Sequence, residues 1–202
     1  WKPDLLALAW GEKKLNGLDQ ECPRPTLLPV ALKHPVVQIA CADAATLALT
    51  AEGFVYHWGR MWWHSLGHPQ QKPKSIPELR DIKSSACSVP GYFHQRRNNP
   101  GYTCAAATRR GELYTWGANL SGQLMRNIEE PYAARPTRVE MSAPVRLISC
   151  GIQFTAVHTS GVAEQPSKVL TCGRYCQEPR HDLRSWAALE GLPVRQLAAG
   201  GF

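Results

Sequence analysis

The sequence contains no apolar run near the roughly 18 to 20 residues that a membrane-crossing helix needs, so no such span is expected. Leu5 to Trp10 is apolar throughout but lacks the basic region and cleavage site of a secretory leader. Methionine is scarce, at positions 61, 125 and 141 only, and the first residue is Trp1. That start predicts a piece of a longer chain, with any targeting segment upstream. Charged residues make up 19% and never run to five of one sign. The net charge of +7 is spread evenly, with 12 basic and 8 acidic residues in 1–101 and 11 and 8 in 102–202. A dedicated nucleic-acid binder concentrates its charge on one face or arm, so this balance points to an anionic partner only weakly.

Motifs of small-molecule chemistry are missing too. No phosphate-binding glycine loop, dinucleotide fingerprint, zinc-protease histidine pair or nucleophile elbow occurs. Asp19, Asp43, Glu112, Glu140 and Asp182 are scattered singly. The expectation is a non-enzyme with no catalytic, cofactor-binding or metal-binding residues and no cofactor.

What the chain has in abundance is punctuation. Its 202 residues include 16 Gly and 16 Pro, which suits many short elements joined by turns better than a helix bundle. A repeat runs through it. Leu8-Ala9-Trp10-Gly11, Val55-Tyr56-His57-Trp58-Gly59 and Leu113-Tyr114-Thr115-Trp116-Gly117 share one pattern, and Val169-Leu170-Thr171-Cys172-Gly173 keeps it with Cys at the Trp place. The anchors at 10, 58, 116 and 172 are 48, 58 and 56 residues apart. Other columns repeat in register: Thr50-Ala51-Glu52-Gly53 with Thr108-Arg109-Arg110-Gly111, and Ile39-Ala40-Cys41 with Ser85-Ala86-Cys87, Ile148-Ser149-Cys150 and Leu197-Ala198-Ala199.

Each unit reads as strands. Phe54, Tyr56 and Trp58 alternate with Val55, His57 and Gly59, a period of two. The two Gly-terminated segments predict tight hairpin loops with a positive φ at the glycine. Strands with small or apolar residues on both faces must be covered on both sides. Four-stranded antiparallel units of about 50 residues, covered on both faces, are what blades of a β-propeller require. The expected fold is therefore all-β: one partial propeller domain over 1–202, of roughly four blades in approximate units 1–34, 35–82, 83–143 and 144–202, its ring incomplete in this chain.

Leu113-Tyr114-Thr115-Trp116-Gly117-Ala118-Asn119-Leu120-Ser121-Gly122-Gln123-Leu124 resembles the signature of the regulator of chromosome condensation repeat family, roughly L-Y-x-W-G-x-N-x-x-G-Q-L. Val145 to Thr155 resembles the segment that follows it, with Phe154 where the family often has His. The third unit is the fullest copy; the other three are degenerate. The resemblance implies a propeller that usually closes with seven blades. It implies a non-catalytic interaction platform, and guanine-nucleotide exchange on a small GTPase is the one activity it suggests. The alternative is a structural subunit of a large assembly containing RNA or DNA. The expected partner is a protein, a small GTPase or a large assembly. Nucleic acid is the alternative that the basic charge favours, and no membrane is expected.

Candidate contact residues follow from departures from the repeat. Cys41 to Thr46 spans five residues, but Cys87 to Thr103 spans sixteen, and the excess holds Tyr92, Phe93, Arg96 and Arg97 between two Pro-Gly pairs. Loops on a rigid scaffold carry function, and Tyr, Phe and Arg are interface residues. The insertion sits where a nucleotide-displacing wedge of the kind the family carries would grow, or it is a neutral loop expansion. Trp62 and Trp63 are not demanded by the blade, since the third unit has Leu120 and Ser121 there. One of the two can pack inward while the other anchors a partner.

Cys41, Cys87 and Cys150 share one column and are expected as small buried residues in separate blades, reduced and metal-free. Cys172-x3-Cys176 and His64-x3-His68 lack the further ligands of a metal site. Unpaired thiols favour a reducing intracellular compartment, whether nucleus, cytoplasm or mitochondrion.

Overall fold

The structure, a computed structural model, describes residues 8–11, 22–27, 34–42, 45–59, 70–88, 102–162, 165–174 and 183–200. Its local architecture begins with two hairpin turns. Gly53 N–H donates to Thr50 O at 2.9 Å and Gly111 N–H to Thr108 O at 2.9 Å, with the glycines at φ 86° and 87°. The Thr50 and Thr108 hydroxyls accept from the N–H of Phe54 and Glu112 at 3.1 and 3.0 Å. Only glycine adopts this φ without strain, which fixes where each strand turns back.

These turns join antiparallel strands into three four-stranded sheets. The first runs β3 (Val36–Cys41), β4 (Ala45–Thr50), β5 (Val55–Gly59) and β6 (Gln70–Ser75). The second runs β7 (Ile82–Cys87), β8 (Thr103–Thr108), β9 (Leu113–Ala118) and β10 (Tyr132–Val139). The third runs β11 (Val145–Cys150), β12 (Phe154–Thr159), β13 (Lys168–Gly173) and β14 (Arg184–Ser185). Ahead of them, β1 (Leu8–Gly11) pairs with β2 (Cys22–Leu27). The helical content among the described residues is a 3-10 turn at Ala187–Leu189. These are the antiparallel blades of a β-propeller, strands in simple up-and-down order.

Each hairpin also holds the entry to the next sheet. Ile82 N–H donates to Gly53 O at 3.1 Å and Val145 N–H to Gly111 O at 2.8 Å. Arg109 reinforces the first joint, with Nη1 on Asp81 Oδ1 at 2.8 Å and Nη2 on Ala51 O at 2.7 Å.

Two apolar cores lie between neighbouring sheets. One gathers Leu47, Leu49 and Val55 from the β3–β6 sheet with Ile82, Cys104, Ala106 and Trp116 from the β7–β10 sheet. The other gathers Ala105, Ala107 and Leu113 with Val145, Cys150, Val157, Leu170 and Cys172. The anchors Trp58, Trp116 and Cys172 are 3%, 0% and 3% exposed. Each stands one residue before a glycine with positive φ, at 95°, 97° and 113°. A Cβ on Gly117 would run into the Tyr102 carbonyl oxygen, so the Trp-Gly pair is fixed by close backbone approach. Trp10 lies in β1, and its side chain is outside the described residues.

Two expectations need correction. Strand register places Cys104, not Thr103, opposite Trp116, as Thr46 stands opposite Trp58. The excess in the β7–β8 connection is therefore twelve residues, since Cys87 pairs with Cys104 seventeen positions on and Cys41 with Thr46 five positions on. The cysteine column is also unequally buried. Cys150 is buried, Cys87 is half-buried and Cys41 is exposed. In β3 every second residue is exposed, and Cys41 falls on that alternate.

His158 sits inside β12, 7% exposed, paired with Leu147 and Val169. Among the described residues neither ring nitrogen has a hydrogen-bond partner. Burial, and secondly the Arg146 cation, push its pKa below the ordinary histidine value of 6.5. The folded chain thus resists a proton that the unfolded chain accepts. Stability is full above pH 6.5 and falls as pH drops through and below that value. His158→Gln should flatten this acid slope in urea titrations between pH 7 and 5. Trp116→Ala should cost about 3 to 5 kcal/mol in the same assay at neutral pH, the usual range for emptying a buried aromatic site.

Candidate interaction surface

The connections that follow β3, β7 and β11 leave from one side of the molecule. Their last residues, Cys41, Cys87 and Cys150, are close enough to interact electrostatically: Cys41 with Cys87, and Cys87 with Cys150. Gly59, where the β5–β6 connection starts, pairs with Ala45 at the start of β4 and so opens on the same side. Both candidate contact segments, the one holding Trp62 and Trp63 and the one holding Tyr92, Phe93, Arg96 and Arg97, depart from this side. All six residues lie outside the described residues, as do His64, His68 and Cys176.

The stems of the insertion are described, and they are rigidly placed. Ser88 N–H donates to Thr103 O at 2.8 Å, while Thr103 N–H donates to the Ser88 hydroxyl at 2.9 Å. The Thr103 hydroxyl donates to Ala118 O at 3.0 Å, and Ala118 N–H to Tyr102 O at 2.8 Å. Ser88, Tyr102 and Thr103 are at most 2% exposed. The stem's ladder bonds are thus made among described residues on either side of the insertion.

On the same side, the β9–β10 connection carries the polar letters of the repeat signature. Asn119 Nδ2 donates to Ile128 O at 3.2 Å and Glu130 O at 3.1 Å, and Asn119 Oδ1 accepts from Leu124 N–H at 3.2 Å. Gln123 Oε1 accepts from Ser121 N–H at 2.8 Å, and the Thr115 hydroxyl donates to Leu124 O at 2.7 Å. Asn119 and Gln123 are 3% and 2% exposed. They hold the loop rather than present it. The connection also touches the next sheet, where Cys172 Sγ lies 3.1 Å from Gly122 O.

One residue with chemical potential escaped the sequence reading. Thr46 and Thr155 stand across from Cys41 and Cys150, and their hydroxyls oppose the rise in thiol pKa that burial causes. In the middle sheet the same place holds Cys104, with its Sγ 2.8 Å from that of Cys87. Counting back twelve residues from each tryptophan, to Thr46 from Trp58 and to Cys104 from Trp116, would have found it. Burial, and then the neighbouring Cys87 thiol, push the Cys104 thiol well above the ordinary range.

Repeated four-stranded blades with a Trp-Gly anchor and a buried Asn/Gln loop define a β-propeller repeat protein. Residues 110–158 match the family described as Regulator of chromosome condensation (RCC1) repeat. With the homologues, this match supports an RCC1-like repeat protein. It is 32% identical over 124 residues to the E3 ubiquitin-protein ligase HERC2 of Homo sapiens, covering 57% of this chain and 2% of HERC2. The crystal structure of human WBSCR16 superposes with a TM-score of 0.72 at 16% identity, over 98% of this chain and 52% of that one. Prp20p of Saccharomyces cerevisiae, described with binding properties to Gsp1p and histones, has a TM-score of 0.60 at 20% identity, over 83% of this chain and 36% of its own. At these identities the two structures show a shared fold. The chain spans about half or less of each of these three proteins.

Because Asn119 bonds three main-chain groups in a buried loop, Asn119→Ala should lower unfolding free energy by about 1 to 3 kcal/mol. A urea midpoint shift at unchanged m-value would register it. No shift would mean the loop's own carbonyls find water instead.

Proposed function

We propose that the chain is a non-catalytic protein-interaction platform whose contact element is the insertion between β7 and β8. The observation that carries this reading is the completeness of the blade at the insertion's base: Ser88 and Thr103 bond each other, yet twelve residues more than the β3–β4 connection carries are threaded between them. Ordering extra chain costs conformational entropy, and the ladder gains nothing from it. Tyr92, Phe93, Arg96 and Arg97 supply aromatic area and guanidinium forks, the groups that dominate protein interfaces. Trp62 and Trp63, leaving from the same side, extend the surface.

The finer reading is a small GTPase as partner, with nucleotide exchange as the outcome of contact. The family resemblance supports it, and so does the description of Prp20p with Gsp1p. The net charge of +7 supports the alternative, a structural subunit in an assembly that includes nucleic acid. Either reading sits in a reducing intracellular compartment, and the five unbridged cysteines among the described residues agree with it. No helix among the described residues is long and apolar enough to cross a membrane.

The test replaces Tyr92, Arg96 and Arg97 by Ala together. The melting temperature should stay unchanged while affinity for purified small GTPases, read by release of a fluorescent guanine nucleotide, falls at least about tenfold, one hot spot's worth. Unfolding of the triple variant would make the insertion part of the core. Unaltered binding would move the interface to Trp62 and Trp63. Binding to RNA that weakens steeply with salt, and no GTPase binding, would favour the assembly reading.

A further inference from the structure

The Cys87 and Cys104 sulfurs are 2.8 Å apart, less than an ångström beyond the bonded length of about 2.05 Å. Backbone geometry favours closure. Ser85 turns its N–H and C=O away from β8, onto the Gln38 side chain at 3.0 and 3.1 Å, whereas Ser88 directs its N–H to Thr103 O. The alternation of an antiparallel ladder then makes Cys87–Cys104, like Ser85–Ala106, a non-hydrogen-bonded pair. Facing Cα atoms in such a pair lie about 4.5 Å apart, within the span a disulfide bridges. Equivalent places in the flanking sheets pair Cys41 with Thr46 and Cys150 with Thr155, so a second thiol is no requirement of the blade.

We infer that Cys87 and Cys104 form a redox-active dithiol, a modification site that closes into a cross-strand disulfide with a small disulfide such as glutathione disulfide as oxidant. Half-buried Cys87 reacts first, because Cys104 is fully enclosed. The Cys87 thiolate attacks one sulfur of glutathione disulfide, and the departing glutathione thiolate takes up the proton that Cys87 released. Cys104 then gives up its proton and attacks the Cys87 sulfur. The second glutathione leaves as a thiolate and accepts that proton. The protein loses two S–H bonds and gains one S–S bond; the oxidant is reduced to two molecules of glutathione. The link closes the chain between the cysteines, insertion included, into a covalent ring.

The full chain is equilibrated with glutathione and glutathione disulfide at graded ratios, alkylated and digested with trypsin. Cleavage after Lys83, Arg96, Arg97 and Arg109 leaves Cys87 in 84–96 and Cys104 in 98–109. The expected result is joint loss of alkylation from both peptides as the disulfide fraction rises, with one linked pair that dithiothreitol separates. Exposed Cys41, facing a threonine, should never appear in that link. Cys104→Thr restores the residue of the flanking repeats, and Cys87 should then stop at a glutathione adduct. Three results overturn the inference: both thiols alkylated in glutathione disulfide alone, a lasting adduct on Cys87 beside a free Cys104 in the unmodified chain, or Cys87 linked to any other cysteine.

Discussion

Close face-to-face stacking of sheets governs this molecule. An inner strand covered on both faces has little room, and β8 meets this with small side chains alone. All six of its residues, Thr103 to Thr108, are buried. Cys104 and Ala106 face one core, Ala105 and Ala107 the other. With so little side-chain volume on β8, the larger group of this sheet sits on the next strand out. Trp116 fills that place against the preceding sheet, and the following glycine lets the backbone reach Tyr102. Trp116 is fully buried and Gly117 has no room for a Cβ, so the two act as a unit.

The same stacking decides where function can reside. Side chains inside the blades are committed to packing, and the polar residues of the signature are committed as well. Asn119 and Gln123 hold the β9–β10 connection together from within and present nothing to solvent. The segments proposed for recognition leave from the side where the cysteine-bearing strands end. The scaffold fixes their stems; their residues are free to differ from one unit to the next.

Sequence periodicity made most of the scaffold legible, because its physical requirements are local. Gly53 and Gly111 mark turns, Gly117 and Gly173 mark close approaches, and Trp58 and Trp116 mark the core, so each of these residues has a local structural cause. Pairing across strands was less legible. Aligning Thr46 with Thr103 put identical letters together, but register follows from backbone hydrogen bonds and sets Cys104 in that place. A one-residue slip moves every side chain to the other face, and here it hid the second thiol. Burial of Cys41 was illegible for a related reason: it depends on what lies beside β3, not on β3 itself. The proposed contact residues were reached only as departures from the pattern, a signal that locates a segment without saying what binds it.

Two of those departures fall together. The middle sheet keeps the repeat signature most fully, yet the insertion and Cys104 both fall on its β7–β8 hairpin. Random relaxation of a repeat would erode the weakest copies first and spread over their loops. Stacked repeats contact only their neighbours, so one hairpin can change without cost to distant blades, provided its own ladder stays complete. The Ser88–Thr103 and Thr103–Ala118 bonds keep it complete. Cys104 preserves the small volume that stacking demands while replacing the hydroxyl found in the flanking sheets with a thiol. The hairpin therefore meets every packing constraint of the blade and still differs from its neighbours in reach and in chemistry. That combination is what sets this hairpin apart from the equivalent hairpins of the flanking sheets.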